Sequence, residues 1–314
     1  MPTMTTAPPG GAVRGAPPRR FPRGWARGQA RLAYVLPAAL GLAVLAVYPL
    51  VQLVRMSFSA VTSSTLQNPW ALVGWGNFAA DAKGGELWAA LGNTGIFALI
   101  VTVVGLVGGF AAAVALRDSG RWPAFLLGMM VFIWALPPVV NGSVWKFLLG
   151  DSGLFNTLIH ATGLAHSPVP FLYDQHMALY SVAFVNSWAV VPFNALVFRA
   201  AMLGVPAEIF EAARLDGAGP AKEIRHILIP AVRPTTLVLT VLTVVYAFRS
   251  FDFIYVMTYG GPGTATNTLP FLGYLQAFVQ YDYGKGAATA VLAALLVIVL
   301  AVVYARSVNK EENE

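Results

Sequence analysis

The chain has 314 residues, 57% of them hydrophobic and only 11% charged, with a formal net charge of +6. Soluble domains carry about 25% charged residues and ~45–50% apolar ones, so this chain lacks the charge to cover a water-facing surface of its size. A mean hydropathy of +0.65 and apolar runs long enough to cross a bilayer point to an all-α, polytopic membrane protein. With no cysteine there is no disulfide framework, thiolate nucleophile or cysteine-based metal site.

Residues 1–31 are rich in Pro, Gly and Arg without an apolar period, and read as a disordered basic cytoplasmic tail. The apolar stretch Leu32 to Val54 exceeds the roughly 7–15 residues of a signal-peptide core. At ~1.5 Å per residue it crosses a ~30 Å hydrocarbon layer, which predicts a retained first helix over 32–57. Five further spans are expected, roughly Gly92–Leu116, Pro123–Leu149, His176–Leu203, Pro234–Met257 and Gly286–Ala305. They form a core over 88–305, followed by a cytoplasmic C-terminus at 306–314.

Six spans put both termini on one side. Of the twenty Lys and Arg, only Arg55, Lys83, Lys146, Arg249 and Lys285 fall away from that side. The positive-inside rule then places both termini in the cytoplasm.

The pieces between spans are short. No G-x-x-x-x-G-K-[ST] occurs, and Tyr283-Gly284-Lys285-Gly286 lacks both the first Gly and the Ser/Thr, so no phosphate-cradling loop is predicted. His160, His166, His176 and His226 show no metal-ligand spacing. The expectation is a chain that is not an enzyme and holds no cofactor or metal. Arg249 and Asp252 stand three apart in the fifth span, which predicts one shared helix face. Two readings stay open there, a polar lining of a path or an ion pair near the outer surface.

The cytoplasmic segment 204–233 is the informative one. Pro206 suits a first helical turn, and Glu208 lies near the positive end of the helix dipole. Gly217 and Gly219 can end that helix and Pro220 can start another, giving two short helices in an L or V. The first presents Ile209, Phe210, Ala212, Ala213 and Leu215, unusually apolar and small for a cytoplasmic loop. Spacing leaves open whether this face docks another protein or lies flat on the membrane.

Glu211-Ala212-Ala213, then Gly217, then Ile227-x-Ile229-Pro230 resembles the EAA loop of ABC-importer permeases, with Ile229 in place of the family's Leu. Phe251-Asp252-Phe253-Ile254-Tyr255-Val256-Met257-Thr258-Tyr259-Gly260-Gly261-Pro262 is similar to the end of the fifth span in carbohydrate permeases. The resemblance covers roughly 33–305 and is to the short, six-span form of the maltose- or trehalose-type first permease subunit. It implies a type I importer permease fold in a bacterial cell membrane. It also implies a heterodimer with a second homologous permease, two copies of an ATPase subunit that bind ATP and Mg, and an extracytoplasmic, lipid-anchored sugar-binding protein.

By the same resemblance, Glu211, Ala212, Ala213, Asp216, Gly217 and Ala218 would form the ATPase-coupling segment. Asn186, Trp188 and Phe193 resemble the family's Asn-x-Trp-x-x-x-Pro-aromatic stretch that lines its sugar cavity. Thr243, Ser250 and Trp134 fall where the family places further cavity residues. Ala247 stands where the maltose transporter has an asparagine, so the binding chemistry differs. The implied function is passage of a di- or oligosaccharide such as trehalose or maltose, or a related polyol or sugar phosphate, by alternating access. The alternative is an ion-coupled secondary transporter or channel.

Overall fold

In the computed structural model the described residues are 25–118 and 120–311. They fall into two units, Met1–Gln52 and Leu53–Glu314. The first unit contains most of α1, Trp25–Ser57. This helix begins before the expected tail ends, so residues 25–31 are helical; the rest of that tail lies outside the described residues.

Beyond α1 a two-residue strand pair, β1 (Ser59–Ala60) against β2 (Ala71–Leu72), precedes α2, Gly76–Gly84. The amide of Asn77 donates to the carbonyls of Ser57 and Ser59, each at 2.9 Å, and ties α2 to the end of α1.

The second and fourth spans are continuous: α3, Glu86–Ala115, and α7, Ala178–Leu203. They pack against each other where α3 carries Gly105, Gly108 and Gly109. A Cβ on Gly109 would sit 2.5 Å from Asn194 Cβ, and one on Gly108 would sit 2.8 Å from Val191 Cγ2. Small residues let membrane helices approach closely, and close packing supplies most of their association. Gly109→Val is therefore expected to force α3 and α7 apart, with an overpacking cost of about 1–3 kcal/mol. The melting temperature of the detergent-purified protein should drop, whereas Gly92→Val, at a site open around its Cβ, should change it little.

The third and fifth spans are broken rather than continuous, a correction to the sequence reading. Helix α4, Arg121–Ala135, meets α5, Pro138–Leu148, at a bend of 102°. Pro137 and Pro138 cause it: the residue before a proline is driven out of the helical region and proline offers no N–H. Leu136 and Pro137 accordingly both have ψ 135°. The fifth span runs as α11, Arg233–Phe248, then breaks before α12, Asp252–Met257. A second bend of 67° lies between the loop helices that end at Ala231 and α11.

The last span, α14, Tyr283–Glu311, continues into the segment expected as a C-terminal tail. Four helices are long and apolar enough to cross a membrane alone, and the two bent pairs make up to six spans among the described residues. Two short helices add to this: α6, Leu154–Ala161, and α13, Leu269–Tyr274, which runs on as a π-helical turn Leu275–Val279.

Among the buried apolar clusters of the second unit, two lie around α7. One gathers Phe97, Val101, Leu179, Val182, Phe253 and Phe271. The other, toward the loop 204–233, gathers Ala113, Phe198, Met202, Phe210, Leu228 and Leu239.

A buried polar triangle joins α2, the π-helical turn and α14. Gln276 Nε2 donates to Asp81 Oδ1 at 2.9 Å, and Thr289 Oγ1 lies 3.1 Å from Asp81 Oδ2 and 2.7 Å from Gln276 Oε1. One hydroxyl proton cannot serve both acceptors. Thr289 therefore donates to one of these two oxygens at a time, while Gln276 donates to Asp81. Burial pushes the Asp81 carboxyl up from 3.8, against the Thr289 hydrogen bond and nearby Lys285, while the Asp282 charge adds to the rise.

A raised folded-state pKa means that the group stabilises most below its ordinary value and progressively less as pH climbs through the raised one. Asp81→Asn removes the titrating carboxyl. Its melting temperature should be flatter with pH from 3.8 upward than that of the parent; parallel curves would refute this account of the triangle.

Candidate functional site

The loop 204–233 forms from its punctuation residues. Pro206 caps α8, Ala207–Leu215, with Glu208 in the first turn. The helix closes through Ala218 N to Ala213 O at 2.8 Å and Gly217 N to Arg214 O at 3.0 Å, with Gly217 at φ 77°. This double bond with a left-handed residue is the usual glycine-terminated helix end. Pro220 then opens α9, Pro220–Glu223, which continues through a π-helical turn Ile224–Leu228 into α10, Ile229–Ala231.

Of the expected coupling residues, Glu211, Ala212, Asp216 and Gly217 are exposed and Ala213 and Ala218 are half-buried. Leu215 is 90% exposed and Ile209 is 47% exposed. Phe210 departs from the expectation. It points inward, 7% exposed, into the cluster of Phe198, Met202 and Leu228. The free face of α8 is correspondingly narrower than the composition suggested. The exposed residues of α8 are Ala207, Glu208, Ile209, Glu211, Ala212, Arg214 and Leu215, with Asp216 exposed just past its end.

Where the third and fifth spans break, a cavity of about 440 Å³ opens, within the ~300–1,000 Å³ range of small-ligand sites. Irregular backbone at membrane depth is tolerated where it lines such a cavity. Trp134 and Leu136 come from α4 and the bend, Asn141 from α5, Phe193 from α7, Thr243 and Tyr246 from α11, and Phe253 from α12. Trp134 and Phe193 stack at 5.7 Å between centroids, 23° from parallel. Thr243 shares a 3.4 Å hydrogen bond with the buried Asn194 amide.

The remaining sequence-predicted residues lie elsewhere. Asn186 is fully buried and its Nδ2 donates to Ser250 Oγ at 2.9 Å, which bridges α7 to the break in the fifth span. Trp188 is 44% exposed and meets Trp145 edge-on at 6.0 Å, outside the wall of this cavity. Asn141 and Tyr246, which do line it, were not anticipated. The Leu136-Pro137-Pro138 sequence was the available signal for Asn141, because residues just past a broken span face the irregular backbone.

Arg249 and Asp252 do not share a helix face. α11 ends at Phe248 and α12 begins at Asp252, so the helical spacing between them is lost. Both side chains are exposed. Among the described residues the ion pairs involve Glu223 with Arg117 and Arg214, not this couple.

Two broken spans thus surround a small cavity, with a paired-helix loop beyond them. The sequence profile of the family described as "Binding-protein-dependent transport system inner membrane component" matches residues 105–310, and the chain belongs to that family. It is 31% identical to the diacetylchitobiose uptake system permease protein DasB of Streptomyces coelicolor, over 89% of this chain and 87% of that protein. It is 28% identical to the trehalose/maltose transport system permease protein MalF of Thermococcus litoralis, over 88% of this chain and 93% of that one.

Among solved structures, a bacterial ABC transporter involved in the import of the acidic polysaccharide alginate superposes with a TM-score of 0.78. The match covers 91% of this chain and 96% of the other at 19% identity. The fold is that of a type I ABC importer permease, an all-α multi-pass membrane protein.

Proposed function

We propose that this chain is one of two homologous permease subunits of an ATP-driven, binding-protein-dependent carbohydrate importer in a bacterial cell membrane, with its termini in the cytoplasm. Two ATPase subunits that bind ATP and Mg would sit below the loop, and a lipid-anchored sugar-binding protein would deliver substrate above. The substrate class is a di- or oligosaccharide, or a related polyol or sugar phosphate.

The observation that carries this reading is the exposed face of α8, held in place by Pro206, the left-handed Gly217 and Pro220. The exposed apolar groups of Ile209 and Leu215 and the short side chain of Ala212 suit contact with another protein. The relatives' transport of diacetylchitobiose and of trehalose/maltose supports the substrate class.

In the mechanism, closure of the ATPases on ATP draws the two coupling helices together. Each permease then reorients so that its cavity opens outward. Hydrolysis reverses the motion. Differential affinity of ligands at both ends for two states of one element is what couples them. This chain supplies the path and the lever, and the hydrolytic site lies in the partner.

The test is ATP hydrolysis by the reconstituted complex with its binding protein over a panel of sugars. Stimulation by one or a few oligosaccharides is the expected result. A complex stimulated by amino acids or peptides and by no sugar would contradict the substrate class.

A further inference from the structure

Glu223 is not part of the exposed coupling face, yet it is the most tightly held charge of the loop. Its side chain is 9% exposed and lies between two arginines from different elements. Arg214 Nε, at the end of α8, donates to Oε1 at 2.9 Å, and Arg117 Nη2, just past α3, lies 3.9 Å from Oε2. Arg117 in turn sits over the ring of Phe210, 4.4 Å from its centroid. The end of α3 is also held from the other side, since Arg199 Nε on α7 donates to Leu116 O at 2.8 Å.

The Arg214 side chain is 59% exposed but that of Arg117 only 21%, so removing the buried carboxylate's charge mainly leaves Arg117 without its counter-charge. The contacts therefore link α8 and α9 to the inner ends of α3 and α7. Those two helices are themselves locked by their glycine contact. By contrast, the link onward to the fifth span passes through a π-helical turn and a 67° bend, where the helical ladder is interrupted.

We propose that Glu223 is a positioning residue that makes the coupling helix and the α3–α7 pair one rigid body, so that movement of α8 is delivered to the cavity wall carried by α7. The inference rests on the reading of α8 as the ATPase-docking helix. It predicts a division of labour in the loop. The outward residues of α8 bind the ATPase, and Glu223, facing inward, decides how much of that motion reaches the membrane. Losing it separates hydrolysis from transport without detaching the ATPase.

The experiment is performed on the full complex in proteoliposomes and reads sugar imported per ATP hydrolysed. Glu223→Gln keeps size and an acceptor but removes the charge. It is expected to lower that ratio about tenfold, on the scale by which residues along a coupling route change coupling. ATPase co-purification should stay at the parental ratio, and Glu223→Asp should restore most of the coupling. An unchanged ratio in Glu223→Gln overturns the proposal. Loss of the ATPase from that variant also overturns it, because Glu223 would then only fold the docking surface.

Failure of the docking reading is separable. The chain has no cysteine, so Leu215→Cys on the native background can carry a photoreactive maleimide. Crosslinking to the ATPase together with normal coupling in Glu223→Gln rejects the clamp alone. Absence of crosslinking rejects the docking of α8, and the clamp with it.

Discussion

Gly217→Asp is expected to abolish sugar uptake while leaving the chain folded in the membrane. Gly217 holds φ 77° and nothing lies within 4 Å of where its Cβ would be, so the protein itself has room for a side chain. Aspartate is among the few residues that adopt the left-handed conformation at modest cost, which keeps local strain small. What it adds is bulk and negative charge at the corner between α8 and α9, where the ATPase would press. The measurement is co-purification of the ATPase with the tagged permease, alongside uptake. Loss of both, with unchanged expression, is the expected outcome. Normal assembly and transport would show that this corner touches nothing.

The second large effect concerns the cavity. Trp134→Ala removes an aromatic surface that stacks on Phe193 and lines the cavity. Aromatic contacts contribute about 0.5–1.5 kcal/mol beyond area burial, so the sugar concentration for half-maximal uptake should rise several-fold or more. Asn141→Ala removes an amide from the same wall, at about 0.5–1.5 kcal/mol net for each hydrogen bond lost. Trp188→Ala, outside that wall, should matter less. Asn186→Ala should act through stability, because it breaks the bond to Ser250 at the interrupted fifth span. Binding-protein affinity should be unchanged in all four. A larger uptake defect in Trp188→Ala than in Trp134→Ala would place the sugar elsewhere, on the exposed face of α7.

Much of this architecture was legible because the bilayer limits what apolar runs can become. Continuous apolar stretches of about twenty residues span a bilayer as helices, and proline and glycine mark the corners of the loop 204–233. Pro206, Gly217 and Pro220 each occupy the helix-end position their chemistry favours.

Rotation about a helix axis was not legible. Phe210 looks like a docking residue on composition. It turns inward because its ring meets Arg117 and the cluster around Phe198, which lie 93 and 12 positions away in the sequence. Trp188 looked like a cavity residue by resemblance. The face α7 presents is set by three glycines on α3, whose contacts only the fold reveals.

The breaks differ in the same way. Leu136-Pro137-Pro138 carries its bend in the sequence. The fifth span breaks at Arg249–Phe251 with no proline or glycine to announce it, where the Asn186–Ser250 hydrogen bond crosses to α7. Glu223 gave no signal at all, since its partners come from α8 and from beyond α3.

On the proposed reading, sugar crosses this chain at the expense of ATP hydrolysed on the side of α8. Proteoliposomes containing the complete complex test it directly, with ATP sealed inside, binding protein and labelled sugar outside, and no ion gradient. Accumulation of sugar against its gradient, dependent on both luminal ATP and external binding protein, is the predicted result. Accumulation driven by a proton or sodium gradient without ATP would contradict it.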